Sequence, residues 1–131
     1  MTHEFFNPVR SRFGAGALSS LPELVARRRT LLVTFPEARA LGLTQRVQQL
    51  LGAHLVGVIE DVRPNPDVAE LKPMHEAFWQ RGGAELIVAI GGGSAIDTAK
   101  ALAVGTASGR FDDLVAALAG GQPFEPARTL P

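Results

Sequence analysis

The sequence predicts an α/β protein with a doubly wound, mostly parallel sheet of Rossmann-like form. Three observations predict it. Short apolar runs at Thr30–Thr34, Leu55–Ile59 and Leu86–Ile90 alternate with stretches whose apolar residues recur at helical spacing, as βαβ units require. Two of these runs, TLLVT and LIVAI, are nearly continuous in apolar character, as befits strands covered on both faces. The chain has 131 residues, 46% hydrophobic and 20% charged, which suits one soluble domain with a core of its own.

Taken in order, residues 9–13 (VRSRF) alternate apolar and basic side chains before Gly14 and Gly16 and read as a first, outer strand. Ser20, Pro22 and Glu23 have capping-box spacing with proline in the first turn, and Leu21, Leu24 and Val25 form one helical stripe. Thr30–Thr34 is the second strand. Thr44 is placed to cap a helix whose Val47, Leu50 and Leu51 share a face and which Gly52 closes. Leu55–Ile59 is the third strand. Pro64 and Pro66 then make residues 63–67 a loop. Asp67 and Glu70 form another capping box leading to Met74, Ala77 and Phe78, with Pro73 either kinking that helix or starting it. Gly82 and Gly83 end it. Leu86–Ile90 runs straight into Gly91, Gly92, Gly93 and Ser94, and a helix from Ala95 should turn Ile96, Ala99, Leu102 and Ala103 inward. A short helix over residues 113–119 precedes a tail over 120–131.

Several function classes are excluded by composition. Thirteen Lys and Arg balance thirteen Asp and Glu, so no basic field gathers nucleic acid or an anionic membrane. There is no cysteine, hence no disulfide scaffold, thiolate catalysis or cysteine-bound zinc. The first residues lack a basic segment followed by an apolar one, and no apolar run is long enough to cross a bilayer. A cytoplasmic protein is expected.

Chemistry concentrates in residues 86–100 (LIVAIGGGSAIDTAK). Ligands of open α/β sheets bind at the carboxyl ends of the strands. Glycines let the backbone approach them, and the following helix offers free N–H groups and partial positive charge to a phosphate. Ser94 adds a hydroxyl. The plain alternative is a glycine-rich turn that only links strand to helix. The GxGxxG and P-loop patterns both fail, since Ile96 and Asp97 stand where glycine and lysine would be needed.

GGGSAIDTAK resembles the GGGSxxDxxK signature of the iron-containing alcohol dehydrogenase family, which is related to dehydroquinate synthase and glycerol dehydrogenase. The resemblance extends over nearly the whole chain. It takes in Asn7-Pro8-Val9 through Phe13-Gly14-Ala15-Gly16-Ala17-Leu18, the strand at residues 29–34 and the VRPNP loop at residues 62–66. It implies that residues 1–131 are an NAD- or NADP-binding N-terminal domain. Gly92, Gly93 and Ser94 would hold the cofactor pyrophosphate, and Gly91 would allow the turn. Asp97 would lie near cofactor and substrate, although an ion pair with Lys100 explains it equally well. Asn65 would line the cofactor groove, or serve only as a turn residue.

Two departures from the family pattern matter. Where the family often has an Asp after the second strand, this chain has Phe35, followed by Pro36 and Glu37. Loss of that carboxylate, with Arg39 nearby, makes NADP use plausible, whereas Glu37 is an alternative partner for the ribose. The family's divalent metal, iron or zinc, is bound by an Asp and three His of a helical catalytic domain. These 131 residues are not expected to include that domain. His3, His54 and His75 are scattered and read as surface or edge residues. No catalytic or metal residue is therefore expected in this chain.

In the complete enzyme, the resemblance implies hydride transfer between nicotinamide and a small alcohol or aldehyde, with the alcohol and phosphonoacetaldehyde reductases nearest in pattern. A homo-oligomer is expected. Two other readings stay open: a non-catalytic nucleotide-binding or interaction module, and, more remotely, a lyase of the dehydroquinate synthase type.

Overall fold

The computed structural model describes residues 9, 11–121 and 124–131. Its centre is a parallel sheet of β1 (Thr30–Thr34), β2 (Leu55–Ile59) and β3 (Leu86–Ile90) in the order β2-β1-β3. All of β1 is buried, as expected for a central strand covered on both faces. It runs in step with β3 from Thr30 opposite Leu86 to Thr34 opposite Ile90, and its pairing with β2 slips after Thr30.

Side chains of β1 alternate between two cores, because successive residues of a strand point to opposite faces. Leu32 enters the first, with Leu21 and Val25 of α1 (Leu21–Val25) and Val47 and Leu51 of α2 (Leu43–Leu51). Leu31 and Val33 enter the second, with Ala99 and Leu102 of α4 (Gly93–Ala103), flanked by Met74 and Phe78 of α3 (Val68–Arg81). The double winding predicted from sequence is thus present. Outside α3 lies α5 (Phe111–Gly120). Among the described residues, no helix is long and apolar enough to cross a membrane.

Several expectations are corrected. None of the described residues within 9–13 is in a strand, and residue 10 lies outside the described set. Phe13 is 93% exposed, and Arg12 forks onto Glu23 at 2.8 and 2.9 Å. Alternation alone supplies no partner strand. Ser20 already has helical backbone angles as the end of a tight turn, and its hydroxyl donates back to the Ala17 carbonyl instead of capping α1. Thr44 is buried inside α2, which Gly42 begins with a positive φ of 74°.

The capping box of α3 is present. Asp67 accepts from the Glu70 N–H at 2.9 Å, and the helix runs on through Pro73 rather than starting there. Ile96 is exposed, not inward. His75 is no surface residue: it is fully buried, 5.0 Å from the Phe111 ring, with Nε2 2.7 Å from the Val104 carbonyl. His54 is half-buried, and His3 lies outside the described residues. The supposed tail also carries structure. β5 (Arg128–Thr129) pairs antiparallel with β4 (Val104–Gly105), and Leu130 is buried. These two-residue strands carry no legible pattern of their own.

Candidate functional site

The strand order itself locates the site. From central β1 the chain moves to β2 on one side and later to β3 on the other. The helices that follow β1 and β3, namely α2 and α4, pack on opposite faces. The loops leaving these neighbouring strands therefore diverge and leave a crevice at their carboxyl ends, the usual ligand position of open α/β sheets. Below it, the Thr34 hydroxyl donates to the Ile90 carbonyl at 2.7 Å and ties the two strand ends together.

Gly91 turns the chain out of β3 with φ 151°. A Cβ there would stand 2.9 Å from the Ala95 Cβ and 3.1 Å from the Phe35 ring, closer than apolar atoms normally pack. Gly91 is thus required by the fold. Gly92 and Gly93 differ, because a Cβ on either would meet nothing within 4 Å. Their bareness leaves open space directly at the start of α4. The first N–H groups of a helix have no partner within it, and here no capping side chain satisfies them. Together with the helix dipole they form a cradle suited to an anion.

All seven predicted residues converge on this crevice. Phe35, Gly92, Gly93 and Ser94 line a groove of about 330 Å³, and Gly91 lies under the Phe35 ring. Asn65, Gly93, Ser94 and Asp97 line an adjoining hollow of about 570 Å³. Asn65 takes a left-handed φ of 52°, which asparagine tolerates better than most residues. That turn aims its N–H at Ser94 Oγ, 3.0 Å away. The PNP loop is thereby tied to the glycine loop, and the Ser94 hydroxyl proton stays available to donate. Asp97 pairs with Lys100 at 3.3 Å, both well exposed; such a pair contributes little to stability.

Beside Phe35, the structure changes the reading of Arg39. Its Nε and Nη2 both donate to Glu60 Oε2, at 3.1 and 2.8 Å, while the Thr44 hydroxyl donates to Glu60 Oε1 at 2.8 Å. These bonds, Arg39 first and Thr44 next, hold the Glu60 carboxyl below its ordinary range. Glu37 lines the groove with Phe35 and Pro36. Among the described residues, its carboxylate has no hydrogen-bond or ion-pair partner. Sequence reasoning missed Arg63, which lines the same groove next to Val62 and Pro64; its place just after the carboxyl end of β2 was the available signal.

Among the described residues, no three His, Asp, Glu or Cys side chains come together as a metal set. The ring of His75 is turned into the core toward a backbone carbonyl. These residues do not fit a metal ion.

A family model described as "Iron-containing alcohol dehydrogenase" matches residues 8–131. Alcohol dehydrogenase 4 of Saccharomyces cerevisiae (strain ATCC 204508 / S288c) is 35% identical over 105 residues, which are 76% of this chain and 27% of that protein. The crystal structure of sulfoacetaldehyde reductase from Bifidobacterium kashiwanohense in complex with NAD+ shares 30% identity with a TM-score of 0.68, over 79% of this chain and 28% of that one. The NADH-dependent butanol dehydrogenase A of Thermotoga maritima, at 24% identity, matches in fold with a TM-score of 0.75, over 99% of this chain and 33% of its own. The chain thus spans about a quarter to a third of the length of these relatives.

Proposed function

Because the chain belongs to the iron-containing alcohol dehydrogenase family, we propose that residues 1–131 are the nicotinamide-dinucleotide-binding part of an oxidoreductase acting on a small alcohol or aldehyde. The observation that carries the reading is the cradle at the start of α4, where Gly92 and Gly93 leave the space that a Cβ would fill. In this reading the N–H groups of Gly93, Ser94 and Ala95 hold the cofactor pyrophosphate, as helix starts do. The Ser94 hydroxyl adds a donor. Its Oγ is positioned by the Asn65 N–H, so the serine arrives oriented instead of losing rotamer freedom on binding.

Phe35 supplies an apolar wall to the groove, and Asn65 and Asp97 border the adjoining hollow. When bound, the nicotinamide supplies the hydride chemistry, and the protein supplies binding and orientation. The family's metal would be held by residues of the complete enzyme other than those described here. The similarity to a sulfoacetaldehyde reductase solved in complex with NAD+ supports the cofactor class. The similarity to alcohol dehydrogenase 4 supports the substrate class.

The test is fluorescence titration of the chain with NADH, with inorganic pyrophosphate as competitor. Saturable binding displaced by pyrophosphate is expected. Lack of binding at millimolar NADH would contradict the proposal and favour a module without nucleotide chemistry.

A further inference from the structure

We infer that Glu60 is a positioning residue of the candidate site: it lies behind the groove and fixes the spacing of two of its walls. The inference rests on the dinucleotide reading above and goes beyond it, because Glu60 does not line the groove itself.

The groove is lined by residues 35–37 after β1, residues 62–64 after β2, and residues 92–95 at the start of α4. Loops that leave separate strands are the parts of a domain that open most readily, so a groove between them keeps its width only if they are tied. Two ties lie at the groove. The Phe35 ring lies against Gly91, and the Asn65 N–H meets Ser94 Oγ at 3.0 Å. The third, between the walls after β1 and β2, is made from behind.

Glu60 follows directly on β2, two residues before Val62, and Arg39 stands two residues beyond Glu37. Arg39 Nε and Nη2 both donate to Glu60 Oε2, at 3.1 and 2.8 Å. The other oxygen, Oε1, accepts from the hydroxyl of Thr44, which is buried within α2. One carboxylate thus joins the roots of the two walls and anchors both to a packed helix. Two bonds from one guanidinium fix direction as well as distance. The Arg39 and Glu60 side chains are 54% and 26% exposed, so the pair adds little to global stability. Its effect is on position, and Arg39 serves the site through Glu60 instead of meeting the ligand.

Without this brace, a dinucleotide would have to order both loops as it binds, at a loss of affinity. Inorganic pyrophosphate is small enough to rest on the N–H groups of Gly93, Ser94 and Ala95 alone, and so it does not need the walls. The two ligands therefore separate positioning from general damage to the fold.

The experiment is titration with NADH and competition with inorganic pyrophosphate on the unmodified chain, Glu60→Gln, Arg39→Ala and the double variant. Each single variant should weaken NADH about three- to tenfold, the cost of ordering one or two freed side chains, and leave pyrophosphate unchanged. The double variant should be no weaker than the worse single one, because both substitutions cut the same tie. If Glu60→Gln binds NADH as tightly as the unmodified chain, or more tightly, the released Arg39 is idle or meets the ligand itself, and either result overturns the inference. Equal weakening of NADH and pyrophosphate also overturns it, as general damage to the fold would do. In these cases the unmodified chain still binds NADH and the dinucleotide reading stands. An unmodified chain that binds neither ligand overturns that reading and this inference with it.

Discussion

Replacing each glycine of the loop in turn by alanine separates architecture from ligand binding. At Gly91 the added Cβ would lie 2.9 Å from the Ala95 Cβ and 3.1 Å from the Phe35 ring, inside the ~3.5–4.0 Å optimum for carbon contacts. The φ of 151° adds backbone strain for any side chain. Overpacking costs about 1–3 kcal/mol and such backbone strain about as much again, so Gly91→Ala should lose roughly 2–6 kcal/mol of stability. At Gly93 the added methyl meets nothing within 4 Å and lies in the first turn of α4. Alanine is the better helix former, so stability should hold or rise by up to about 1 kcal/mol. The methyl would nevertheless occupy space that the proposal gives to phosphate, and NADH affinity should fall by about tenfold or more, or about 1.4 kcal/mol. Urea denaturation with parallel NADH titration reads both quantities. If Gly93→Ala binds NADH as well as the unmodified chain, the cradle is not the phosphate site; if Gly91→Ala is as stable as the parent, the packing argument is wrong.

Other outcomes follow from the same geometry. Ser94→Ala should weaken NADH binding about tenfold in a titration, since it removes a hydroxyl donor and the acceptor that positions the Asn65 N–H. His75→Ala should cost about 3 kcal/mol in a denaturant midpoint, because it empties a buried site packed on Phe111 and leaves the Val104 carbonyl unmet. Glu60 sets an acid dependence. Its folded carboxyl is held below the ordinary value by Arg39 and Thr44, so the unfolded chain takes up the proton first as pH falls. Its contribution is full above the ordinary carboxylate pKa of about 4.3 and is lost as pH drops through the lowered folded value. Urea midpoints measured from neutral to acid pH should therefore fall less steeply in Glu60→Gln than in the unmodified chain.

The three parallel strands and the glycine loop were legible because their signal is local. TLLVT and LIVAI announce buried strands by composition, and GGGS after an apolar run announces a strand-to-helix turn. Asp67 and Glu70 announced a real helix start because both halves of the box lie in four residues. Ser20 and Thr44 carried the same type of cue and failed. In each case a nearer or longer-range acceptor, the Ala17 carbonyl or the Glu60 carboxylate, took the hydroxyl instead. The burial of His75 depends on Phe111 and Val104, far away in sequence, so no local pattern could show it. For the same reason Arg39 looked available to a phosphate until the fold brought Glu60 to it from 21 residues away.

The most direct test of the phosphate cradle is an NMR titration of the 15N-labelled chain with NADH, following backbone amides. The account predicts saturable shifts centred on Gly92, Gly93, Ser94 and Ala95, with a coupled shift at Asn65 through its bond to Ser94. Shifts confined to other residues, or none at saturating NADH, would contradict it.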